Sequence, residues 1–261
     1  MSTGFIYGTN EIIVLFVFFA LMLAATEAGF RLGRRSEMHT AEKIKTSVSA
    51  VEGAMLGVVG LLLGFTMSMA VSRFEARKHL VLDEANAIGT ARLRAELLPA
   101  PEGPEIRSLL RQYINVRVQY GSTGNDATQF NRTRTESARL QNELWTRAVA
   151  YGQKDPNAVR AGLLLQSLNQ AIDLESARWM EFQNRVPDTV IYANGIVGIL
   201  AVMLVGHAFG LNGRRHIFSI FVLAVAITLV LGVVIDLDQP RSGFIRVSQQ
   251  PMIDLQHDLQ H

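Results

Sequence analysis

The chain has 261 residues, a formal net charge of +2 and a hydrophobic share of 49%, and it contains no cysteine. The lack of cysteine excludes disulfides, thiolate nucleophiles and cysteine metal sites, and the nearly neutral charge excludes the strongly basic footprint typical of a nucleic-acid-binding protein. The hydrophobic residues are concentrated in four blocks, and each approaches the roughly 20 residues that a membrane-spanning helix needs. These blocks are residues 12–30, 54–71, 190–211 and 217–235. We therefore predict an all-α integral membrane protein with four transmembrane helices and no nucleic-acid partner.

The first block is predicted to be a retained span rather than a signal peptide. Residues 1–11 contain no Lys or Arg, so the basic segment of a signal peptide is absent, and the apolar run is long. Near the end of this span stands Glu27, and an ionisable group at membrane depth is a functional hypothesis by default. The alternative is an ion pair with Arg31, which lies four residues further along the same helix face.

The second block is predicted to continue into water as one helix over Gly53–Leu98. After Gly64 there is no glycine until Gly89 and no proline until Pro99, so nothing interrupts the helix where the apolar segment becomes charged. This division predicts four regions in the chain. They are residues 1–72 with the first two spans, 73–187 as a helical extramembrane insert, 188–236 with the last two spans, and 237–261 as a C-terminal tail.

Glycines recur on one face of the second span, at Gly57, Gly60 and Gly64. They indicate either close packing against another helix through small residues, or several copies of this helix arranged around an axis. In the second case apolar residues at helical spacing would point inward as a hydrophobic constriction. The residues predicted to form this pore neck are Val58, Leu61 and Phe65.

Polar residues follow the neck and continue along the helix. Thr66 and Ser68 would offer hydroxyls to a hydrated ion, or bond backward to carbonyls of their own helix. The mixed charges beyond them form either a solvated face with interhelical pairs or a vestibule that sets ion selectivity. The residues assigned to such a vestibule are Arg73, Arg77, Glu84 and Asn86.

The insert is predicted to be a helical bundle or an extended stalk. Its breaks lie at residues 99–104, 121–126, 152–157 and at Pro187, where proline, glycine, asparagine and aspartate are concentrated. The third segment has the clearest apolar stripe, formed by Phe130, Ser137, Leu140, Leu144, Ala148 and Tyr151. No alternating strand pattern competes with these helical periods.

Two polar side chains stand in the third span. Asn194 is interpreted as a residue that hydrogen-bonds to a neighbouring helix. His207, three residues before Gly210, is either a functional group inside the membrane or a residue at the membrane–water interface. In the tail, Pro251 is predicted to open a short amphipathic helix. Residues 244–247 would lie at the membrane surface or against the insert.

The distribution of basic residues bears on the orientation. Four spans place the insert on one side of the membrane and the two short loops on the other. The short loops contain Arg31, Arg34, Arg35, Lys43, Lys45, Arg214 and Arg215. Basic residues are equally numerous near the spans on the insert side, but they are denser in the short loops, which favours an external insert.

Motifs for catalysis are absent from the sequence. There is no GxxxxGK[ST], HExxH or GxSxG pattern and no close cluster of His and carboxylates at metal-ligand spacing. Without an arguable pair of nucleophile and base, we predict that the protein is not an enzyme and needs no cofactor or metal.

Two strings of sequence resemble bestrophins. Leu63–Phe65 (LGF), followed by RFEARK at residues 73–78, resembles the pore-helix stretch of bacterial bestrophins, although this chain has one aromatic residue, Phe74, where the bestrophin motif has two. The longer string GLLLGFTMSMAVSRFEARKHLVLDEANAIGTARLR at residues 60–94, and DQPRSGFIRVSQQPM at residues 238–252, resemble an uncharacterised family of bacterial membrane proteins described as bestrophin-like.

The resemblance implies a four-span protomer of an oligomer, pentameric as in bestrophins, in the bacterial inner membrane. The second span would line a pore for small inorganic ions, with Phe65, Leu61 and Val58 as its neck, and the insert would form a cytoplasmic vestibule. No motif matches the calcium clasp of animal bestrophins, so control by calcium is not implied. The alternative function is a non-conducting, membrane-anchored helical scaffold or a signal-coupling protein.

Overall fold

The computed structural model describes residues 11–36, 42–123, 126–154, 158–239 and 243–259. This part of the chain contains helices and no strand, which confirms the predicted all-α class. Parts of the breaks predicted at residues 121–126 and 152–157 lie outside the described residues. The helices are α1 (Glu11–Ser36), α2 (Glu42–Ala95), α3 (Glu102–Ser122), α4 (Ala127–Lys154), α5 (Ala158–Gln183), α6 (Asp188–Leu211), α7 (Ile217–Asp238) and α8 (Gln250–Asp258).

The chain divides into two compact units. The first, the membrane unit, comprises residues 1–72 and 185–239, and the second, the helical unit, comprises residues 73–184 and 240–261. Among the described residues, four helical stretches are long and apolar enough to cross a membrane, namely Glu11–Ser36, Thr46–Ala95, Val159–Leu211 and Ile217–Asp238. The helix predicted to run without interruption from the second span into the insert is observed as α2, which ends at Ala95.

The tightest packing in the membrane unit lies between α1 and α6. The glycines at this crossing are Gly29 and Gly33 of α1 and Gly206 and Gly210 of α6. A Cβ atom on Gly29 would stand 1.9 Å from the carbonyl oxygen of Met203, and one on Gly206 would stand 2.1 Å from that of Thr26. Only glycine permits such an approach of two backbones. Among the described residues, small-residue packing therefore occurs here, and not at Gly57, Gly60 and Gly64 of α2, for which it was considered.

The helical unit has its own hydrophobic core. The stripe predicted in the third segment of the insert is entirely buried on α4, and α4 begins where the Asp126 carboxylate accepts hydrogen bonds from the backbone N–H groups of Thr128 and Gln129, at 2.9 and 3.1 Å. The core receives fully buried residues from five helices: Ile88, Ile106, Leu140, Leu164 and Met252.

The C-terminal segment belongs to this core. The short helix predicted to open at Pro251 is observed as α8, and it buries Met252 completely. Leu259 is also buried, and Val247 packs against the same core. Of the two positions considered for residues 244–247, the position against the insert therefore holds for Val247.

Candidate functional site

One face of α2 in the membrane unit is left uncovered by the rest of the described chain. The three residues predicted to form a neck lie on it, and Val58, Leu61 and Phe65 are 46%, 57% and 64% exposed. Their spacing of three and four residues places them on successive turns of one side of the helix. The face is therefore a continuous apolar surface that their own chain does not bury.

Glycines extend this uncovered face. A Cβ atom added to Gly57, Gly60 or Gly64 would meet no atom within 4 Å, so none of the three contacts another helix of the described chain. A glycine costs helix stability relative to alanine, by roughly 1 kcal/mol in a helix interior. Three glycines that make no such contact with the described part of their own chain thus point to a contact with another copy.

The opposite face of α2 is covered. Val59 and Leu63 pack into a cluster with Met22 of α1 and with Ala201 and Val202 of α6. The two sides of α2 therefore differ in kind: one is a core surface, and the other is the uncovered face.

Thr66 belongs to the covered side. Its hydroxyl donates to the carbonyl oxygen of Leu62 at 2.8 Å and accepts a hydrogen bond from Nδ2 of Asn194 at 2.7 Å. Of the two roles considered for Thr66, the backward bond is the one observed, and a buried hydroxyl cannot meet an ion in a pore. The interhelical role predicted for Asn194 is confirmed. Ser68, by contrast, is exposed.

The two ionisable residues noted in the spans occupy different surroundings. Glu27 accepts hydrogen bonds from Arg31 Nε at 2.8 Å and from Arg215 Nη2 at 3.2 Å, so the predicted i,i+4 ion pair is confirmed and a second arginine joins it. His207 is half-buried on α6, where its backbone is crossed by α1 at Gly29 and Gly33. Its Nδ1 atom is buried and has no hydrogen-bond partner in the described part of the chain.

Arg73 and Arg77 form hydrogen bonds with the residue that follows the C-terminal end of α5. The Arg73 guanidinium donates to the Asn184 side chain, while Arg77 Nη2 donates to the Asn184 carbonyl oxygen at 3.0 Å. Carbonyl groups at the end of a helix lack partners within the helix, and these arginines supply donors to that region. Arg77 is buried, so its assignment to a water-filled vestibule is wrong. Asn86 is exposed.

Glu84 lies at the centre of an ion cluster inside the helical unit. Its carboxylate accepts hydrogen bonds from Arg117 Nε at 2.5 Å and Nη2 at 3.1 Å, and from Arg178 Nη1 at 2.5 Å. Glu175 is the second carboxylate of the cluster and accepts from Arg117 Nη1 at 3.0 Å. The Glu84 and Arg117 side chains have no exposed surface. Glu84 is therefore an internal ion-pair residue, and its predicted vestibule position is wrong.

Electrostatics favour the charged state of this cluster. Burial by itself would raise the pKa of Glu84, but the Arg117 and Arg178 guanidiniums outweigh it and hold that pKa below its usual range. Burial likewise disfavours the charged form of Arg117, and the neighbouring Glu84 carboxylate reverses the effect and raises its pKa. Two carboxylates and two guanidiniums give a cluster without net charge, which suits an interior position.

Neutral polar groups complete the surroundings of Glu175. Tyr113 Oη donates to Glu175 Oε2 at 2.9 Å, Ser137 Oγ donates to the same carboxylate at 2.9 Å, and the Gln141 amide also donates to it. Burial raises the pKa of Tyr113 well above its usual value, so this hydroxyl remains a donor. Every oxygen of the carboxylate is thus provided with donors.

Arg117, Glu175 and Arg178 were not predicted as partners of Glu84. A signal was present for Arg117, since it lies four residues after Tyr113 and three before Tyr120, on the buried stripe of α3. A charged residue at the period of an apolar stripe indicates a buried charge that needs a partner. The partner itself lies on another helix, and sequence spacing does not reveal it.

The described residues contain no group of three or more His, Asp or Glu placed to hold a metal ion. The uncovered face of α2 is apolar, and the Glu84–Arg117 pair at the centre of the ion cluster is fully buried.

Fold and site together define an integral membrane protein, whose described residues include four helices able to span a bilayer and a second, helical unit. The model of the Bestrophin-like domain matches residues 16–252, and the chain belongs to the Bestrophin-like family. No match to a curated protein was found.

Similarity to solved structures agrees with the family. The crystal structure of a bacterial bestrophin homologue from Klebsiella pneumoniae matches with a TM-score of 0.70 at 15% identity, over 96% of this chain and 97% of that chain. Two single-substitution variants of the homologue match at 15% and 14% identity with TM-scores of 0.69 and 0.70, over 96% of this chain and 98% and 97% of theirs. At such identity the likeness shows a shared fold.

Proposed function

We propose that the chain forms an oligomeric ion channel in which the uncovered face of α2 lines the pore. The observation that supports this proposal is the exposure of Val58, Leu61 and Phe65 on a face whose glycines contact nothing in the described chain. Contact with lipid does not require glycine, whereas copies of a helix that converge on an axis benefit from small residues. Membership of the Bestrophin-like family adds support, because bestrophins are ion channels.

Phe65 is the proposed narrowest point of the pore. A ring of apolar side chains limits ion passage because an ion loses hydration there and finds no polar replacement, and such a constriction gates by dewetting. Leu61 and Val58 extend the ring along the helix. Past Phe65, Ser68 is exposed and can offer its hydroxyl to an ion.

The family also supports a proposal for the assembly and its location. We propose a homo-oligomer, pentameric as in bestrophins, in the bacterial inner membrane, with the helical unit as a cytoplasmic vestibule. Asn86 is exposed and suited to the vestibule surface, and Arg73 contributes charge there while it bonds to Asn184. Arg77 and Glu84 have no place on that surface because both are buried.

Ion flux through purified protein in sealed liposomes tests the proposal. Flux is measured under a Na⁺ or K⁺ gradient and, separately, under a Cl⁻ gradient, which also reveals the preferred ion. In Phe65→Ala we expect a higher flux, because the substitution removes the aromatic ring from the constriction. Each preparation is first shown by gel filtration to be oligomeric.

Phe16→Ala is the matched control. Phe16 of α1 is 71% exposed, similar to Phe65, but it lies on a helix that the proposal keeps away from the pore. Its flux should equal that of the unmodified protein. Unchanged flux in an assembled Phe65→Ala protein, or an equal rise in both variants, would contradict the assignment of the neck. No flux at all would favour the non-conducting scaffold.

Cross-linking tests the geometry without depending on conduction. Because the chain has no cysteine, a single Leu61→Cys substitution introduces one thiol on the uncovered face. Copies that surround an axis should give cross-linked dimers on oxidation. Val59→Cys, on the covered face two residues earlier, should not. Equal cross-linking of the two variants would count against a pore lined by this face.

A further inference from the structure

A buried polar contact lies next to the proposed neck. Thr66 directly follows Phe65 on α2 and is 2% exposed, whereas Phe65 is 64% exposed. Asn194 of α6 is also buried, and its Nδ2 donates a hydrogen bond to the Thr66 hydroxyl at 2.7 Å. Two consecutive residues of α2 therefore have different surroundings, since Phe65 lies on the uncovered face and Thr66 is bonded to another helix.

The contact is a chain of hydrogen bonds in which every donor is used. Asn194 Nδ2 also donates to the carbonyl oxygen of Val190 at 3.0 Å, so the amide is oriented by its own helix before it reaches α2. The Thr66 hydroxyl donates its one proton to the carbonyl oxygen of Leu62 at 2.8 Å. Thr66 can therefore bond to α6 only as an acceptor, and Asn194 supplies the donor that this arrangement requires.

This bond adds a direction that the apolar packing of α2 lacks. Val59 and Leu63 pack into an apolar cluster with residues of α1 and α6, and apolar contacts depend on buried area rather than on direction. A hydrogen bond, by contrast, weakens steeply when its angle is distorted. Because consecutive residues lie about 100° apart around a helix axis, fixing Thr66 against α6 also fixes the direction in which Phe65 points.

Packing alone does not account for an asparagine at position 194. Its Oδ1 atom is buried and has no hydrogen-bond partner in the described part of the chain, and a buried acceptor without a partner costs stability. A leucine side chain has the same branching and the same number of heavy atoms, and it would carry no such cost. Leucine lacks the donor to Thr66, so that donor is the advantage of asparagine here.

We propose that Asn194 is a positioning residue of the neck, which fixes the rotation of α2 through Thr66 and thereby directs Phe65 toward the pore axis. The inference rests on the proposed function, because the direction of Phe65 affects ions only when α2 lines a pore. Without the bond, α2 samples other rotations, Phe65 leaves the constriction for part of the time, and more ions pass. The bond itself lies within one protomer.

Flux through liposomes tests the effect on the neck, with each variant first shown by gel filtration to be oligomeric. Asn194→Leu and Thr66→Val both remove the bond and nearly preserve shape. Each should raise flux about threefold, the factor that corresponds to an average interhelical hydrogen bond in a membrane. The double variant should conduct no more than either single variant, because both substitutions remove the same bond. Thr66→Ser keeps the hydroxyl and should conduct like the unmodified protein.

Thr26→Val is the matched control. Thr26 of α1 is a buried threonine whose hydroxyl donates to the carbonyl oxygen of Met22 on the same helix at 2.8 Å. Its flux should equal that of the unmodified protein. An equal rise in Thr26→Val, a flux in Thr66→Ser as high as in Thr66→Val, or an unchanged flux in assembled Asn194→Leu would overturn the proposal.

Thiol labelling distinguishes a failure of this inference from a failure of the proposed function. The chain has no cysteine, so Val59→Cys places a single thiol on the covered face of α2. In detergent-purified protein, N-ethylmaleimide should modify this thiol about threefold faster when Asn194→Leu is added, because rotation of α2 uncovers that face. Leu61→Cys is exposed from the start and should react at the same rate with and without Asn194→Leu.

The two measurements together decide each case. No flux from the unmodified protein would contradict the proposed function, and faster labelling of Val59→Cys would then still support control of the α2 rotation by Asn194. An unchanged labelling rate would overturn that control whether or not the protein conducts.

Discussion

Glu84→Gln removes the charge at the centre of the internal ion cluster and nearly preserves its shape. In the native protein the carboxylate accepts three hydrogen bonds, at 2.5, 3.1 and 2.5 Å, from Arg117 and Arg178. The amide offers one acceptor oxygen, and its NH₂ group faces guanidiniums that are also donors. Two arginines would then be buried opposite a neutral group.

The expected loss of stability is large. Removing one partner of a buried ion pair costs about 3–5 kcal/mol, because the remaining charge is left without compensation. Arg117 keeps its bond to Glu175 at 3.0 Å, so the expected value lies at the low end, about 3 kcal/mol. A domain is stable by only about 5–15 kcal/mol in total. The helical unit of Glu84→Gln should therefore unfold at a clearly lower denaturant concentration.

The two tryptophans of the chain make the assay specific. Trp145 and Trp179 both lie in the helical unit, so their fluorescence during urea unfolding of detergent-purified protein reports on this unit. The difference in free energy follows from the shift of the midpoint at unchanged slope. Asp83→Asn is the matched control, since Asp83 is the preceding residue and is exposed. Its effect should stay within about 0.5 kcal/mol. A similar midpoint for both variants would refute the central role of Glu84.

Other consequences concern acid stability and the α1–α6 crossing. The pKa of Glu84 is lowered in the folded state, so its stabilisation is present above the pKa of a free Glu, about 4.3, and is lost as the pH falls below it. Tryptophan-detected unfolding should show a smaller acid loss in Glu84→Gln, and an identical acid loss would contradict this. In Gly206→Ala, a Cβ only 2.1 Å from the Thr26 carbonyl oxygen should separate α1 from α6 and lower the yield of monodisperse protein. Gly162→Ala in α5, with open space around its Cβ and no part in the uncovered face of α2, should keep that yield in gel filtration, and equal yields would argue against the crossing.

Local properties of the sequence were enough to predict the class and the helices. About 20 consecutive apolar residues predict a membrane-spanning helix. The hydrocarbon core offers no hydrogen-bond partners to backbone N–H and C=O groups, so the chain must pair these groups within a helix. The continuity of α2 follows from the absence of proline up to Pro99. The buried stripe of α4 follows from its period, since residues three and four apart share a helix face. None of these features requires knowledge of which helices become neighbours.

The candidate site could be predicted only in part for the same reason. Spacing places Val58, Leu61 and Phe65 on one side of α2, but it does not say whether another helix of the chain covers that side. The positions of Arg77 and Glu84 were mispredicted because mixed charge on a helix usually indicates contact with water. Their partners are more than 30 residues away in sequence: Asn184 directly follows α5, and Arg117 lies on α3.

The sequence by itself determined the membrane spans, the helical class and the candidate neck residues, because hydrophobicity, period and helix breakers act over a few turns. Tertiary structure alone decided which helix faces pack against each other and which side chains become ion-pair partners. It placed the close glycine contact at Gly29 and Gly206, left Gly57, Gly60 and Gly64 of α2 without a neighbour in the described chain, and enclosed Glu84 between two arginines. Burial and ion pairing depend on groups brought together from distant parts of the chain, and the periodicity of one helix contains no information about its neighbours.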